Sequence, residues 1–154
     1  MSSATLYQWL LFGHLVGAMV WLGGGVVLAV LSTAALRGDE HAVARFARSL
    51  RVVGPAVLAP ATVVTLLFGV WLVLDSEAWD FGQAWMIAAL ALIAAVIVVG
   101  AGFQARTALA AERAAARDDH AEARRQLTRW VGGYALTVVL LVITVWDMVF
   151  KPGL

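Results

Sequence analysis

The chain has 154 residues, 62% of them hydrophobic and only 14% charged, which excludes a water-soluble globular domain and marks an integral membrane protein. It has no cysteine, so disulfides, thiolate metal sites and Cys-attached haem are excluded as well. The net charge of +1 hides an asymmetry: all the basic residues except Lys151 are arginines in two segments, 37–51 and 106–129, while the segment 75–82 holds Asp75, Glu77 and Asp80 and no basic residue.

A membrane-spanning helix needs about 20 mostly apolar residues. Four runs qualify, 6–31, 52–74, 85–103 and 130–150, and together with short connections they use up the chain. The expected fold is all-α, a four-helix transmembrane bundle forming one integral membrane domain over residues 1–154. The first run has no basic segment before it and is too long for a signal peptide, so it is expected to remain as a span. By the positive-inside rule both arginine segments lie in the cytoplasm, which places both termini outside a bacterial inner membrane that the chain crosses several times. Anionic lipid head groups are a second use for such arginines.

In the first span the stretch from His14 to Gly25 reads HLVGAMVWLGGG. On a helix turning 100° per residue, Trp21 and Gly25 fall within about 20° of His14, and Gly13, Gly17 and Gly24 form a bare strip beside them. This face offers an imidazole, an indole and a trench for another helix or a flat ligand. His14 lies roughly 10 Å below the outer interface, and an ionisable group at that depth is a functional hypothesis by default. The bland alternative is a neutral histidine bonded to a threonine or carbonyl of a neighbouring helix.

Gly38 ends the first helix, and residues 40–51 read as a short amphipathic helix. Gly54 and Pro55 open the second span. Pro60 should kink it, with Thr62 and Thr65 able to satisfy the carbonyl that Pro60 frees. The acidic loop carries Trp79, Phe81 and Trp85 at interface depth. In the third span Ala84, Ala88, Ala91, Ala95 and Gly102 share a face, a small-residue seam suited to helix packing. Asp119 and Glu122 resemble a capping box at the start of the last helix. The segment starting at Gly38 also aligns without gaps onto that starting at Arg117, matching Asp39 to Asp118, His41 to His120 and Gly54 to Gly133. A duplicated helix hairpin would account for this, as would shared Ala/Arg composition.

Asp147, near the outer end of the fourth span, shares a face with Thr144, Thr137 and Gly133, and Lys151 follows one turn later. An Asp147–Lys151 ion pair is one expectation. The other places Asp147 beside His14, orienting the imidazole through Nδ1–H, with Thr144 and Lys151 supporting it. Copper(I) would want soft ligands, for which Met86 and Met148 lie at the outer ends of their spans. A b-type haem would use His14 as its axial ligand, with Trp21, Gly17 and Gly24 shaping the slot. No nucleophile–base pair, carboxylate dyad, phosphate loop or nucleic-acid surface is visible.

An early membrane histidine followed by WLGG, arginine-rich connections and the ending MVFKPG resemble a bacterial family of predicted integral membrane proteins. That family groups near the CopD copper-resistance domain and the HemJ-type protoporphyrinogen oxidases. The resemblance covers the whole chain in layout, but its motifs are confined to residues 14–24 and 148–153. It implies haem binding at His14. The Pro-Arg, second histidine and membrane lysine of HemJ-type sequences are missing, which argues against porphyrinogen oxidation. The leading expectation is therefore a small membrane protein binding haem b or a metal such as copper through His14. The alternative is a cofactor-free structural or accessory subunit, a homodimer or part of a larger membrane complex. A HemJ-like oxidase or a copper transport protein ranks behind both.

Overall fold

The computed structural model describes residues 3–153, and each apolar run is the middle of a longer helix. Helix α1, Ser3–Arg37, has 35 residues. At 1.5 Å per residue it is about 52 Å long, against roughly 30 Å of bilayer hydrocarbon. The excess projects at the arginine-rich end.

The second helix does not break where Gly54 and Pro55 suggested. Helix α2 (Glu40–Val53), a π-helical turn (Gly54–Leu58) and α3 (Ala59–Leu74) are continuous. In an α turn the Pro55 ring would meet the carbonyl four residues earlier. The widened turn, in which the Ala59 N–H bonds to the Gly54 carbonyl, gives that ring room. The threonine hydroxyls bond to the carbonyls of Leu58 and Ala61, not to that of Ala56, which is the one Pro60 leaves without its usual partner. The third span is likewise continuous, as α4 (Ala84–Ile97), a second π-helical stretch (Val98–Gln104) and α5 (Ala105–Ala115). Helix α6, His120–Phe150, is the fourth.

The hairpin layout repeats, but the caps depart from the ungapped register. Asp39 caps α2 and Asp119 caps α6, each accepting the N–H three residues on, whereas the alignment pairs Asp39 with Asp118. Asp119 and Glu122 do mark the start of α6 as expected.

Helix α1 packs on α3 and on α6, and α6 packs on α4 and α5. Helices α3 and α4 make no close backbone approach and meet only through side chains, Val73 against Trp85 and Met86 at the acidic end and Ala61 in a core shared with Ile93 and Val96. At the arginine-rich end α2 packs on α5 and α6, around a core of Leu28, Val43, Phe46, Leu50, Leu127 and Trp130. Here the helices leave the hydrocarbon layer, and water supplies a driving force for burying apolar side chains that lipid does not. Polar bonds reinforce the join. Arg124 donates to the carbonyls of Leu36 and Gly38 at the end of α1. Arg51 of α2 meets Glu112 of α5 at 2.9 Å, and His120 lies 3.3 Å from Glu40.

Within the membrane layer, close approach of backbones takes over. A Cβ on Gly13 would lie 2.6 Å from the Phe68 ring, and one on Gly17 2.6 Å from the Thr65 hydroxyl. The alanine seam of the third span behaves differently: Ala84, Ala88, Ala91 and Ala95 are all exposed on the outside of the chain. They make no internal packing face, because α4 turns Trp85, Met86, Ala89 and Ile93 inward instead.

Gly25 and Gly23 separate packing from intrinsic helix propensity. A Cβ on Gly25 would fall 1.6 Å from the buried Tyr134 hydroxyl, while one on Gly23 meets nothing within 4 Å. Gly25→Ala should lower stability by about 1–3 kcal/mol through overpacking. Gly23→Ala should be neutral or stabilise by up to about 1 kcal/mol. Thermal unfolding of both variants in one detergent measures the contrast.

Candidate functional site

His14 is part-buried on the face of α1 that meets α3, and its Nδ1 lies 2.8 Å from the backbone carbonyl of Thr65. A carbonyl can only accept, so the tautomer that makes this bond carries its proton on Nδ1 and leaves the Nε2 lone pair free. Gly69 permits the contact, since a Cβ there would lie 3.0 Å from the imidazole. The Nδ1 partner is thus a backbone carbonyl and not Asp147. No hydrogen bond or ion pair joins His14 to Asp147.

The glycine trench beside His14 is filled. Phe68 covers Gly13, Thr65 and Val64 cover Gly17, and Leu58 approaches Gly24. A flat macrocycle therefore does not fit between α1 and α3, and any ligation by His14 uses the Nε2 side of the ring. Trp21 is buried among Ala61, Ile93, Val96 and Leu141. Met86 is buried beside Trp85 and Val73, whereas Met19 is 70% exposed. Among the described residues no three His, Asp or Glu side chains converge as metal ligands would.

Thr137, Thr144 and Asp147 are all buried on one side of α6, as their spacing indicated, with Asp147 at the end opposite the arginines. Asp147 is 4% exposed and its Oδ2 has no hydrogen-bond partner. The expected Asp147–Lys151 ion pair is not formed. Lys151 ends α6 in the left-handed conformation, φ 43°, with its N–H bonded to the Asp147 carbonyl. That turn carries its ammonium over the Trp79 ring, 4.3 Å from the centroid, and 5.6 Å from that of Trp85. The two indoles meet edge to face at 5.4 Å, so Lys151 fastens the acidic loop to the end of the fourth span.

A further recess lies elsewhere. Because α3 and α4 diverge, a groove of about 590 Å³ opens between the second and third spans. Trp21 of α1 and Trp130, Tyr134 and Thr137 of α6 line it from within. Both π-helical segments border it, through Gly54, Pro55 and Leu58 on one side and Gly100, Ala101 and Gln104 on the other. Such widened turns recur at functional sites. The rim residues Val63, Ile97, Ala101 and Ala105 are exposed, so the opening faces sideways. The walls are mostly apolar, with polar groups towards the arginine-rich end. Gln104 donates to Thr137 at 2.8 Å, Tyr134 is buried with its hydroxyl unpartnered, and the Arg51–Glu112 pair lies at the mouth. No histidine or methionine lines the groove.

Of the residues expected to act together, the structure places only Trp21 in this groove. His14 and Gly17 belong to the α1–α3 contact, and Asp147, Thr144 and Lys151 to the other end of α6. Gln104, Tyr134, Arg51 and Glu112 escaped the sequence reading. Gln104 carried a signal, as the one amide among apolar residues at the end of the third span. So did Trp130, Tyr134 and Thr137, which recur at helical spacing on one face.

A family model described as a predicted integral membrane protein, DUF2269, matches residues 8–152. No curated protein and no solved structure shows a significant match.

The acidic end offers a test of what Lys151 does. Lys151→Ala should cost about 1 kcal/mol through loss of the cation–π contact, with a change in tryptophan emission as the loop loosens. Asp147→Asn should leave the melting temperature and the emission unchanged, because no ion pair depends on its charge. Equal losses in the two variants would instead indicate an Asp147–Lys151 pair.

Proposed function

The chain belongs to the DUF2269 family of predicted integral membrane proteins, and from that footing we propose that it is a ligand-binding membrane protein. Its groove between the second and third spans takes up an amphiphilic molecule sideways from the bilayer. One observation carries this reading: two neighbouring spans whose backbones stay apart frame a cavity of about 590 Å³, mostly apolar, with a few polar groups at one end. Small-molecule sites commonly have this make-up, in the range of roughly 300–1,000 Å³. The apolar body of the ligand would lie against Trp21, Leu58 and Leu66. Its polar end would lie near Gln104 and Tyr134, where an acceptor could take the unsatisfied phenolic hydrogen bond. The glycine-containing π segments leave the walls low enough for such a molecule to pass.

Native mass spectrometry of protein released from membranes in mild detergent tests the reading. An amphiphile should be retained by the wild type and by His14→Ala, and should be lost from Ala101→Trp, whose indole fills the groove. Retention by Ala101→Trp, or none by the wild type, overturns the proposal.

A second reading keeps His14 as the ligand of haem b or of a metal ion, as the family resemblance implies. It is favoured by the Nδ1 bond to the Thr65 carbonyl, an arrangement that orients a ligating imidazole and leaves Nε2 available. A Soret band or a stoichiometric metal that disappears in His14→Ala would support it. A colourless, metal-free wild type purified under the same conditions would exclude it.

A further inference from the structure

The third span presents opposite faces to two different recesses. One face borders the groove described above; the other, with Val98, Gly102, Phe103 and Arg106, faces Gln126 and Arg129 at the start of α6 across a second, shallower cleft of about 550 Å³. The cleft runs from strongly apolar to strongly basic. Val98 is 70% and Phe103 37% exposed, and Gly102 is bare backbone with nothing within 4 Å of a Cβ position. Arg106 and Arg129 close the other end.

The polar atoms between the arginines are already engaged. The Thr107 hydroxyl donates to the carbonyls of Phe103 and Gln104. Gln126 donates to Glu122 at 2.6 Å, and Glu122 also receives Arg125 at 2.8 Å. Arg106 and Arg129 have no ion-pair partner among the described residues. The Arg129 guanidinium lies 6.0 Å from the centre of the Phe103 ring, which keeps it at the level where the apolar surface ends. Two unpaired guanidiniums directly above an exposed apolar strip complement a molecule with an anionic head and hydrocarbon chains.

We propose that this cleft binds one anionic phospholipid, its phosphate held by Arg106 and Arg129 and an acyl chain lying along Phe103, Gly102 and Val98. Arginine suits the role because its planar fork meets phosphate oxygens in pairs. Basic recesses between membrane helices at the end rich in arginine are places where such head groups lodge. The cleft lies on the opposite face of the third span from the amphiphile groove, so the two sites fill independently.

The test reconstitutes the full chain in nanodiscs containing phosphatidylglycerol and phosphatidylcholine in equal parts, then counts the lipids that survive mild delipidation by native mass spectrometry. The wild type should retain one phosphatidylglycerol in preference to phosphatidylcholine. Arg106→Gln with Arg129→Gln should reduce that preference by roughly tenfold or more, whereas Arg106→Lys with Arg129→Lys, which keeps the charge and loses the fork, should reduce it less. The control Arg45→Gln with Arg48→Gln removes the same charge from exposed positions on α2 and should change nothing. Thermal unfolding of each variant verifies that it folds. An unchanged preference in the Arg106/Arg129 glutamine variant overturns the proposal. So does an equal loss in the control, which would mean diffuse attraction, or displacement of the lipid by millimolar inorganic phosphate, which would mean a site for the free ion.

Discussion

The backbones of the second and third spans come together at the arginine-rich end, and beyond it the two spans meet only through side chains. Where the helices project beyond the bilayer, amphipathic α2 and α5 meet the end of α1 and the start of α6 around Val43, Phe46, Leu127 and Trp130. Arg51–Glu112 and the Arg124 bonds to the end of α1 hold the geometry. Hydrophobic burial is strong there because the alternative is water. In the lipid layer that force vanishes, so two helices stay together only if their surfaces fit closely. Helices α1 and α3 fit, and α6 fits both α1 and α4. Helices α3 and α4 lack that close backbone fit, and the groove is the space left between them.

Close fit between α1 and α3 also explains the opening stretch of the chain. Gly13 and Gly17 bring the α1 backbone against Phe68 and Thr65, and Gly69 returns the favour by admitting the His14 ring. The imidazole then satisfies its Nδ1 on the Thr65 carbonyl. This carbonyl can take the bond because a backbone oxygen has a second lone pair beyond the one used in the helix. Structure and ligation share the same bond: it secures the helix pair and aims the other ring nitrogen away from it.

The two π-helical segments link local sequence to the groove more directly than any single side chain. Gly54–Leu58 contains Pro55, whose ring cannot sit in an ordinary turn. Val98–Gln104 contains Gly100 and Gly102, which face open space rather than a neighbour. Each widened turn borders the groove and shifts the residues after it around the helix axis. The third span consequently turns Gln104 towards Thr137 inside while presenting Phe103 and Arg106 to the outside.

Composition and the placement of charge were enough to establish a membrane protein of four helices, and the spacing of Thr137, Thr144 and Asp147 to establish the inward face of α6. These follow from local physics, since backbone satisfaction in lipid forces helices and a 3.6-residue period marks their faces. Which face meets which neighbour is not a local property. His14 and Trp21 share a line on α1, yet His14 bonds to α3 while Trp21 joins a core that draws in α3, α4 and α6 together. The alanine seam of the third span has the composition of a contact and lies exposed, while Asp147 and Lys151 have the spacing of an ion pair and separate because a left-handed residue turns the lysine onto two indoles. A separation between two spans leaves no mark in either of them, so the groove and its Gln104, Tyr134 and Arg51–Glu112 lining became visible only when all four helices were in place.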